Sequence, residues 1–367
     1  MLISKRARLA LVLMILAAAF LLAGCGGAPT TGWSSPTVAN QTVYFGAVTG
    51  KVFAVGAADG AVKWEFPTDK ALGALYSTPA LSDTSLYIGA FDKKLYALDA
   101  ATGKSVWEFT ANEAIVPSPT VGGGRVYFGA NDHKVYALDA AKGAKVWEFT
   151  TNGEIWGDAT LSDGILYVPS LDHKLYALDA ATGAKKWEYD GGGIVVTKPA
   201  VANGVVYFAG LSKVFAVDAQ SGQLKWADAF DAGSWVWSNP TVLSNVVYFG
   251  SLEGKVYALD AVTGKPKWPA PFKTGGSVRS AIVIDNGVGY FGSDDFKVYA
   301  LDVETGKEKW AYATTNRIIA SPAVAEGTVY VPSFDRMLYA LNGADGKPKW
   351  VLDTGSGKLV TPTPAAK

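Results

Sequence analysis

The stretch KVYALDAAKGAKVW at residues 134–147 returns almost unchanged along the chain. KLYALDAATGAKKW stands at 174–187, KVYALDAVTGKPKW at 255–268 and KVYALDVETGKEKW at 297–310. The tryptophan that ends the phrase recurs every 39 to 43 residues, as Trp64, Trp107, Trp147, Trp187, Trp226, Trp268, Trp310 and Trp350. A period of this length is typical of solenoids and propellers, in which each unit packs against its neighbours.

Each of the eight units contains four short segments with the composition of β-strands. In the third unit these segments are 118–121, 125–129, 135–138 and 145–149. They are rich in Val, Tyr, Phe and Trp, and the turns between them hold Gly, Asn and Asp. After the first 24 residues, no apolar pattern with a 3.6-residue period continues for ten residues. The sequence therefore predicts an all-β fold.

The third segment of each unit indicates how the units are arranged. In VYAL, Val135 and Ala137 point to one face of the strand, whereas Tyr136 and Leu138 point to the other. Both faces are apolar, so both must be covered. Blades stacked around an axis meet this need, and we predict a single eight-bladed β-propeller of four-stranded antiparallel blades over residues 33–364.

The end of the repeated phrase is interpreted as a connection between blades. Asp139 can accept hydrogen bonds from backbone N–H groups two or three residues later, and Gly143 can adopt a positive φ. Trp147 follows four residues after that glycine, from where its ring can reach the neighbouring blade. The first and last units deviate, with Gly56 and Asn342 in place of the aspartate.

The closure of the ring is left open by the sequence. Residues 35–38 and residues 361–363 both resemble an innermost strand. One of the two segments is therefore spare, or the two chain ends share the first blade.

The first 24 residues have the features of an export signal. Basic residues occur within 1–8, an apolar run covers 9–23, and Leu22-Ala23-Gly24 precedes Cys25. This ending resembles the bacterial lipobox, so we expect a lipoprotein signal peptide at 1–24, a lipid on Cys25 and a short tether at 25–32. An uncleaved anchor and an ordinary secretory signal are the alternatives. Gly26, where an inner-membrane protein often has Asp, favours the outer membrane in a cell with two membranes.

Charge and cysteine content exclude several classes of function. The whole chain has 33 basic and 33 acidic residues, and a chain that begins at Cys25 would carry a net charge of −3. No basic stripe supports binding to nucleic acid. Cys25 is the sole cysteine, so no disulfide can form within the chain.

The repeat LYALDAATGKSVW at 95–107 resembles that of quinoprotein alcohol dehydrogenases and of PQQ-like propellers generally. With the lipobox and eight units, the chain is similar to the BamB family of outer-membrane assembly lipoproteins. That resemblance implies a lipid-anchored, non-enzymatic scaffold that binds protein partners in the cell envelope, without a cofactor.

The residues that quinoprotein enzymes need are not recognisable in the sequence. The resemblance to those enzymes implies Ca²⁺ ligands, an Asp base, an Arg and adjacent cysteines, but Cys25 lies in the signal and the connections are short. Glu113 and Glu154 are the acids worth testing as catalysts. His133 and His173 occupy the same turn of successive units and are interpreted as exposed turn residues. No spaced ligand set indicates a metal site.

The variable positions of the repeat are the candidates for recognition. The residue three before the conserved Pro should lie at the mouth of the central channel, and this mouth position holds Trp33, Tyr76, Val116, Trp156, Val196, Trp237, Val278 and Ile319. The residue directly before the Pro is polar, and is read as Ser35, Thr78, Ser118, Asp158, Lys198, Asn239, Ser280 and Ser321.

From these positions we select Trp33, Tyr76, Trp156, Trp237, Asp158, Lys198 and Arg279 as candidate binding residues. Asp158 and Lys198 are expected to lie close enough to form an ion pair. Aromatic rings and a few polar groups in a concavity are typical of binding sites, although the same rings could simply fill the channel mouth. Three functions remain open: a protein-binding scaffold, a sensor for a small molecule or carbohydrate, and a PQQ-dependent dehydrogenase.

Overall fold

The computed structural model describes residues 32–361, and every regular element in this range is a β-strand. The strands form eight separate sheets around one axis, and each sheet is built from consecutive strands. The prediction of an eight-bladed propeller is confirmed. The signal peptide, Cys25, most of the tether and residues 362–364 lie outside the described residues. Between residues 32 and 361 no helix is long and apolar enough to cross a membrane.

The first four blades contain β1 (Thr37–Ala39), β2 (Thr42–Gly46), β3 (Val52–Gly56) and β4 (Val62–Phe66); β5 (Ala80–Ser82), β6 (Ser85–Gly89), β7 (Lys94–Asp99) and β8 (Ser105–Thr110); β9 (Thr120–Gly122), β10 (Arg125–Gly129), β11 (Lys134–Asp139) and β12 (Lys145–Thr150); and β13 (Thr160–Ser162), β14 (Ile165–Pro169), β15 (Lys174–Asp179) and β16 (Lys185–Asp190).

The last four blades contain β17 (Ala200–Ala202), β18 (Val205–Gly210), β19 (Lys213–Asp218) and β20 (Phe230–Asp231); β21 (Thr241–Leu243), β22 (Val246–Gly250), β23 (Lys255–Asp260) and β24 (Phe272–Lys273); β25 (Val283–Asp285), β26 (Val288–Gly292), β27 (Lys297–Asp302) and β28 (Glu308–Ala313); and β29 (Ala323–Ala325), β30 (Thr328–Pro332), β31 (Met337–Asn342), β32 (Pro348–Asp353) and β33 (Lys358–Leu359).

The core of the molecule lies between neighbouring blades. Val135 and Ala137 of the third blade pack against the fourth blade, in a cluster with Leu166. Tyr136 and Leu138, on the other face of the same strand, pack against the second blade. All four side chains are buried, as the apolar character of both strand faces predicts.

The repeated tryptophan joins each blade to the next one. The indole N–H of Trp107 donates to the carbonyl of Ala140 at 3.1 Å. The ring lies over Gly143, where an added Cβ would be 2.7 Å from the indole. All eight tryptophans make the same pair of contacts, so their predicted role is confirmed.

The turn that receives the indole is built as the sequence predicts. The carboxylate of Asp139 accepts hydrogen bonds from the N–H groups of Ala141 and Lys142. Gly143 has a φ of 68°, a conformation that L side chains rarely adopt. In the last unit, Asn342 replaces the aspartate and its side-chain oxygen still accepts from the N–H of Ala344.

The ring closes between the eighth and the first blade by the same contact. The indole N–H of Trp350 donates to the carbonyl of Ala57 at 3.1 Å, and the N–H of Ser321 donates to the hydroxyl of Ser35 at 2.9 Å. The innermost strand of the first blade is β1, which begins two residues after Ser35. The N-terminal segment therefore supplies that strand.

The fifth and sixth blades have a broken fourth strand. In the third blade Trp147 and Phe149 are two residues apart, whereas Trp226 and Phe230 in the fifth blade are four residues apart. The two extra residues reduce the outer strand to β20 and one isolated bridge, Val217 to Leu224. The sixth blade repeats this arrangement with β24 and the bridge from Leu259 to Pro266.

Candidate functional site: the channel mouth

Two sets of loops meet on one face of the disk, which we call the mouth face. One set precedes the innermost strands, and the other joins the second and third strands of each blade. They are hydrogen-bonded to each other: the N–H of Asn131 donates to the carbonyl of Ala114 at 3.0 Å, and the N–H of Leu171 donates to the carbonyl of Glu154 at 2.9 Å. These hydrogen bonds hold the two sets of loops together on the same face.

A cavity of about 150 Å³ lies at the centre of the mouth face. Residues from all eight blades line it. The predicted mouth residues that line it are Trp33, Tyr76, Val116, Trp156, Val196, Trp237 and Ile319, together with Asp158 and Arg279. Seven of the eight predicted mouth positions are therefore correct.

The remaining predicted mouth position, Val278 in the seventh blade, is wrong by one residue. Strand β25 begins at Val283, so Ile282 occupies the place of the proline. Val278 is completely buried, and Arg279 is the residue at the mouth. This blade lacks the proline that marks the register in most other units.

The polar position of the seventh blade shifts by the same residue. Ala281, not Ser280, follows the pattern there, because the Ala281 N–H donates to the hydroxyl of Ser321 in the next blade at 2.8 Å. Ser280 is buried, and its hydroxyl accepts from the N–H of Gly292 at 2.8 Å. It is the counterpart of Ser77, which accepts from the N–H of Gly89 at 3.0 Å.

Three aromatic rings form a cluster at the first, second and eighth blades of the mouth. The rings of Trp33 and Tyr76 meet edge to face at 4.4 Å, and Trp33 also lies 6.4 Å from Phe334. Burial raises the pKa of the Tyr76 hydroxyl, which therefore stays neutral at physiological pH. Trp156 is held differently, because its indole N–H donates to the Glu154 carboxylate at 2.7 Å.

Phe334 was missed by the sequence analysis although the repeat contains a signal for it. Its position is the first residue of the turn after the second strand. The same position is apolar in six blades, as Val48, Phe91, Leu171, Leu211, Leu252 and Phe334. Apolar residues are unusual in turns, so their recurrence at this position indicates an apolar surface next to the channel mouth.

A cationic group packs against an aromatic ring from the sixth blade. The guanidinium of Arg279 lies over the Trp237 ring, 5.1 Å from its centroid. Its Nε donates to the carboxylate of Asp294 at 3.0 Å. The second oxygen of Asp294 is buried and has no hydrogen-bond partner among the described residues. Asp294 therefore holds the guanidinium against the indole.

The expected ion pair between Asp158 and Lys198 does not form. The Asp158 carboxylate instead accepts from the N–H of Ser118 in the preceding blade at 2.6 Å. Lys198 is exposed, lies outside the cavity, and donates its own N–H to the side-chain oxygen of Asn239 at 2.8 Å. The polar residues before the prolines thus join neighbouring blades around the mouth.

The other titratable candidates are surface residues of the mouth face. Glu113 pairs with the Lys93 ammonium at 3.2 Å. His133 and His173 are exposed at turn positions with φ of 67° and 77°, as predicted. Within residues 32–361 no group of three or more His, Cys, Asp or Glu side chains could hold a metal ion.

The mouth does not fit calcium and a quinone cofactor. Calcium needs about six to eight oxygen ligands. Among the residues that line the cavity, the carboxylate and amide side chains are those of Asp158 and Asn239, and each already accepts a hydrogen bond from a neighbouring blade. Asp294 is turned toward Arg279. No set of free carboxylate and amide oxygens therefore converges on the cavity.

Three solved structures share this fold at low sequence identity. The computationally designed Ika8 protein aligns with a TM-score of 0.73 and 16% identity, over 84% of this chain and 95% of that one. BamB from Moraxella catarrhalis aligns with a TM-score of 0.65 and 19% identity, over 85% and 91%. Quinohemoprotein alcohol dehydrogenase from Comamonas testosteroni aligns with a TM-score of 0.67 and 16% identity, over 86% and 72%.

No curated protein matches the chain in a sequence search. A family model described as outer membrane protein assembly factor BamB matches residues 49–157, 134–282 and 273–367. These matches cover most of the chain, including all eight repeated tryptophans, and they agree with the likeness to the Moraxella structure. The chain therefore belongs to the family described as outer membrane protein assembly factor BamB.

Proposed function

We propose that the chain is an exported, lipid-anchored scaffold that binds a protein partner through the channel mouth during assembly of proteins at the cell envelope. In this proposal it catalyses no reaction and carries no cofactor. The signal-like residues 1–24 direct export, and Cys25 carries the lipid. Membership of the BamB family supports the assembly role, since the family description names it.

The observation that carries the proposal is the contrast between a regular ring and an irregular mouth. The eight indole contacts are the same in every blade, with N–O distances of 2.9 to 3.1 Å. The mouth positions differ from blade to blade and gather aromatic rings with one guanidinium. Trp, Tyr and Arg are the side chains that most often dominate binding energy at protein interfaces.

The size of the cavity favours a protein partner over a small molecule. Pockets that enclose small ligands usually have volumes of about 300 Å³ or more, and the mouth cavity is about half that size. A cavity of this size can accept one or two side chains of a partner whose remaining surface rests on the mouth face. The small-molecule and carbohydrate alternative requires a mouth that opens further.

Affinity capture from solubilised membranes tests the proposal. The double variant Trp156→Ala and Trp237→Ala removes two rings from the cavity, and we expect recovery of the partner to fall at least about tenfold. Trp235→Ala is the matched control, because Trp235 lies in the same loop as Trp237 but does not line the cavity. Unchanged recovery by a folded double variant would contradict the proposal.

Mass spectrometry of the protein from membranes tests the anchor. We expect a mature chain that starts at Cys25 and carries acyl groups there. A chain that retains residues 1–24, or one that has an unmodified Cys25, would contradict the lipoprotein assignment.

A further inference from the structure

The dipeptide Asn-Gly occurs four times in the chain, at residues 152–153, 203–204, 286–287 and 342–343. Asparagine is among the thermally labile residues of proteins. A glycine after it favours loss of the side-chain amide, because no Cβ keeps the glycine nitrogen away from the side-chain carbonyl carbon. The sequence does not distinguish the four pairs, whereas the structure places them in different surroundings.

Two of the pairs form exposed turns on the face opposite the mouth. Asn203-Gly204 joins β17 to β18, and Asn286-Gly287 joins β25 to β26. These turns lie at the other end of the second strand from the mouth-face loops. All four residues are exposed and have φ between 47° and 76°, and no atom lies within 4 Å of a Cβ added at either glycine.

The groups that react in deamidation are accessible in these two turns. The N–H of Gly204 and the N–H of Gly287 donate to no acceptor among the described residues. The described residues form no hydrogen bond to the Asn203 side chain either, whereas the Asn286 side-chain amide donates to the Asp285 carboxylate at 3.1 Å. Water and hydroxide therefore reach both glycine nitrogens.

The pair at 342–343 is held by hydrogen bonds at both reacting groups. The Gly343 N–H donates to the Gly327 carbonyl at 2.9 Å, and the Asn342 side-chain oxygen accepts from the N–H of Ala344 at 2.9 Å. Gly343 is also buried. Both hydrogen bonds must break before the glycine nitrogen can reach the side chain, so the fold protects this pair.

The pair at 152–153 lies on the mouth face and is held through its backbone. The Asn152 N–H donates to the Asp172 carboxylate at 2.9 Å, and the Gly153 carbonyl accepts from the Thr151 hydroxyl at 2.7 Å. Gly153 packs against the next turn, where an added Cβ would be 2.5 Å from the Asp172 nitrogen. The backbone rotation that brings the two reacting groups together is therefore restricted.

We infer that Asn203 and Asn286 are sites of spontaneous deamidation in the folded protein. The Gly204 nitrogen loses its proton to hydroxide and attacks the side-chain carbonyl carbon of Asn203. The bond from that carbon to the side-chain nitrogen breaks, ammonia leaves with a proton taken from water, and a cyclic succinimide remains. Water then opens the ring at one of its two carbonyl groups, which gives aspartate or isoaspartate. The same steps apply to Asn286 and Gly287, and they depend neither on an anchor nor on a partner.

The aspartate product has a native counterpart in the same fold. Asp163-Gly164 forms the equivalent turn of the fourth blade, with φ of 48° and 73°. The aspartate form therefore fits this turn without a change of backbone and adds one negative charge at each site. Isoaspartate instead adds a methylene group to a two-residue turn, which shifts one strand of the hairpin against the other.

The new charges would surround the end of the channel opposite the mouth. Asp83, Asp163 and Glu326 are the first residues of this turn in blades two, four and eight, and none of the eight turns between first and second strands contains Lys or Arg. Two deamidated sites would raise the number of acidic turns from three to five. The modification therefore changes the charge of one face and leaves the mouth as it is.

Peptide mass spectrometry of the full-length folded protein, incubated at mildly alkaline pH, measures the loss of amide at each site. We expect Asn203 to react first and Asn286 second, because the Asp285 carboxylate holds the Asn286 amide and disfavours a negative charge on the neighbouring glycine nitrogen. Both should react at least about tenfold faster than Asn342, where two hydrogen bonds must break first. Faster reaction of Asn342 or Asn152 than of either turn would overturn the inference.

Two comparisons show whether the fold sets these rates. In concentrated urea all four pairs should react at similar rates, because the four dipeptides are the same. A preference for Asn203 and Asn286 that persists in urea would refute the structural cause. Asp285→Ala gives both turns the sequence Ala-Asn-Gly-Val, and we expect Asn286 then to react as fast as Asn203. An unchanged rate at Asn286 would contradict the effect of the Asp285 carboxylate.

Discussion

At the scale of single residues, the contact between Trp107 and Gly143 determines which side chains the repeat tolerates. The glycine combines a positive φ with close contact to the indole. These two requirements can be separated, because Gly124 in the same blade also has a positive φ, 74°, but has no neighbouring atom within 4 Å of an added Cβ.

We expect Gly124→Ala to destabilise the protein by about 1 kcal/mol, the cost of a left-handed conformation for an L residue. Gly143→Ala has the same conformational cost and also pushes the indole away, so it should cost about 1 to 3 kcal/mol more. Urea unfolding of both variants measures the difference. Equal losses would show that the tryptophan ring moves without cost.

The aspartates of the same turns make stability depend on pH. Hydrogen bonds from the Thr182 hydroxyl and N–H lower the pKa of Asp179 below its ordinary value of 3.8, and the pKa values of Asp99, Asp218, Asp260 and Asp302 are lowered in the same way. The unfolded chain therefore binds protons more readily than the folded one. The stabilisation is complete above about pH 3.8 and is lost as the pH falls through the folded-state pKa values.

Asp179→Asn should remove the contribution of one titrating carboxylate to this pH dependence of stability. Asn keeps the acceptor oxygen without the charge, as Asn342 does. The measurement is the melting temperature between about pH 5 and about pH 3. Asp228→Asn changes an exposed aspartate outside these turns and serves as the control: it should leave the slope of melting temperature against pH unaltered. A slope for Asp179→Asn as steep as that of the native chain would refute the assignment.

The residues of the mouth also show what a sequence can and cannot predict. Repeat alignment located seven of eight mouth positions because prolines and strand boundaries fix the register. It failed at Val278, where the proline is replaced by Ile282. It also paired Asp158 with Lys198 because they have opposite charges and lie in adjacent blades, whereas in the structure the Asp158 carboxylate accepts from the N–H of Ser118. Nearly every residue has a backbone N–H, so the sequence does not indicate which of them a carboxylate will accept a hydrogen bond from.

At the scale of elements, the fourth strand is the variable part of the blade. Four strands per unit could be predicted from composition. The break in the fourth strand of blades five and six is visible in the sequence only from the spacing between the repeated tryptophan and the next aromatic residue. Moving the aromatic residue from two to four positions after the tryptophan leaves β20 with two ladder pairs, whereas β12 has five.

We expect the amide hydrogens of residues 224–231 to exchange at least about tenfold faster than those of 145–150, because fewer cross-strand bonds must open. Hydrogen exchange followed by mass spectrometry measures this difference. The third strands β19 and β11 serve as internal controls, since the four central residues of each are buried and each pairs along its length with the second strand of its blade. Similar protection of the two outer segments would contradict the interpretation that the strand is weakened.

At the scale of the whole molecule, the contact that closes the ring between the eighth and first blades is equivalent to the contacts between the other blades. Trp350 is 7% exposed and Trp310 is 8% exposed, and both donate to a carbonyl in the next blade, Trp350 across the closure and Trp310 within the chain. The eight-fold architecture followed from the repeat period and the doubly apolar strands. Which terminus closes the ring required the structure, because two segments have similar sequences.

We expect Trp350→Ala and Trp310→Ala to destabilise the protein by similar amounts, about 3 to 5 kcal/mol each, since both remove a buried ring from an equivalent contact. Unfolding in urea compares them directly. A much smaller effect of Trp350→Ala would mean that the ring is open in solution between its last and first blades.

The closing contact has a consequence for the order in which the protein is made. Trp350 and its acceptor Ala57 are 293 residues apart in the chain. The flank of the first blade, which includes Val43, Phe45 and Phe53, is covered only by the eighth. While the chain is synthesised from its N-terminus, this flank stays uncovered until the last blade is made, and we expect the incomplete ring to be prone to aggregation during that time.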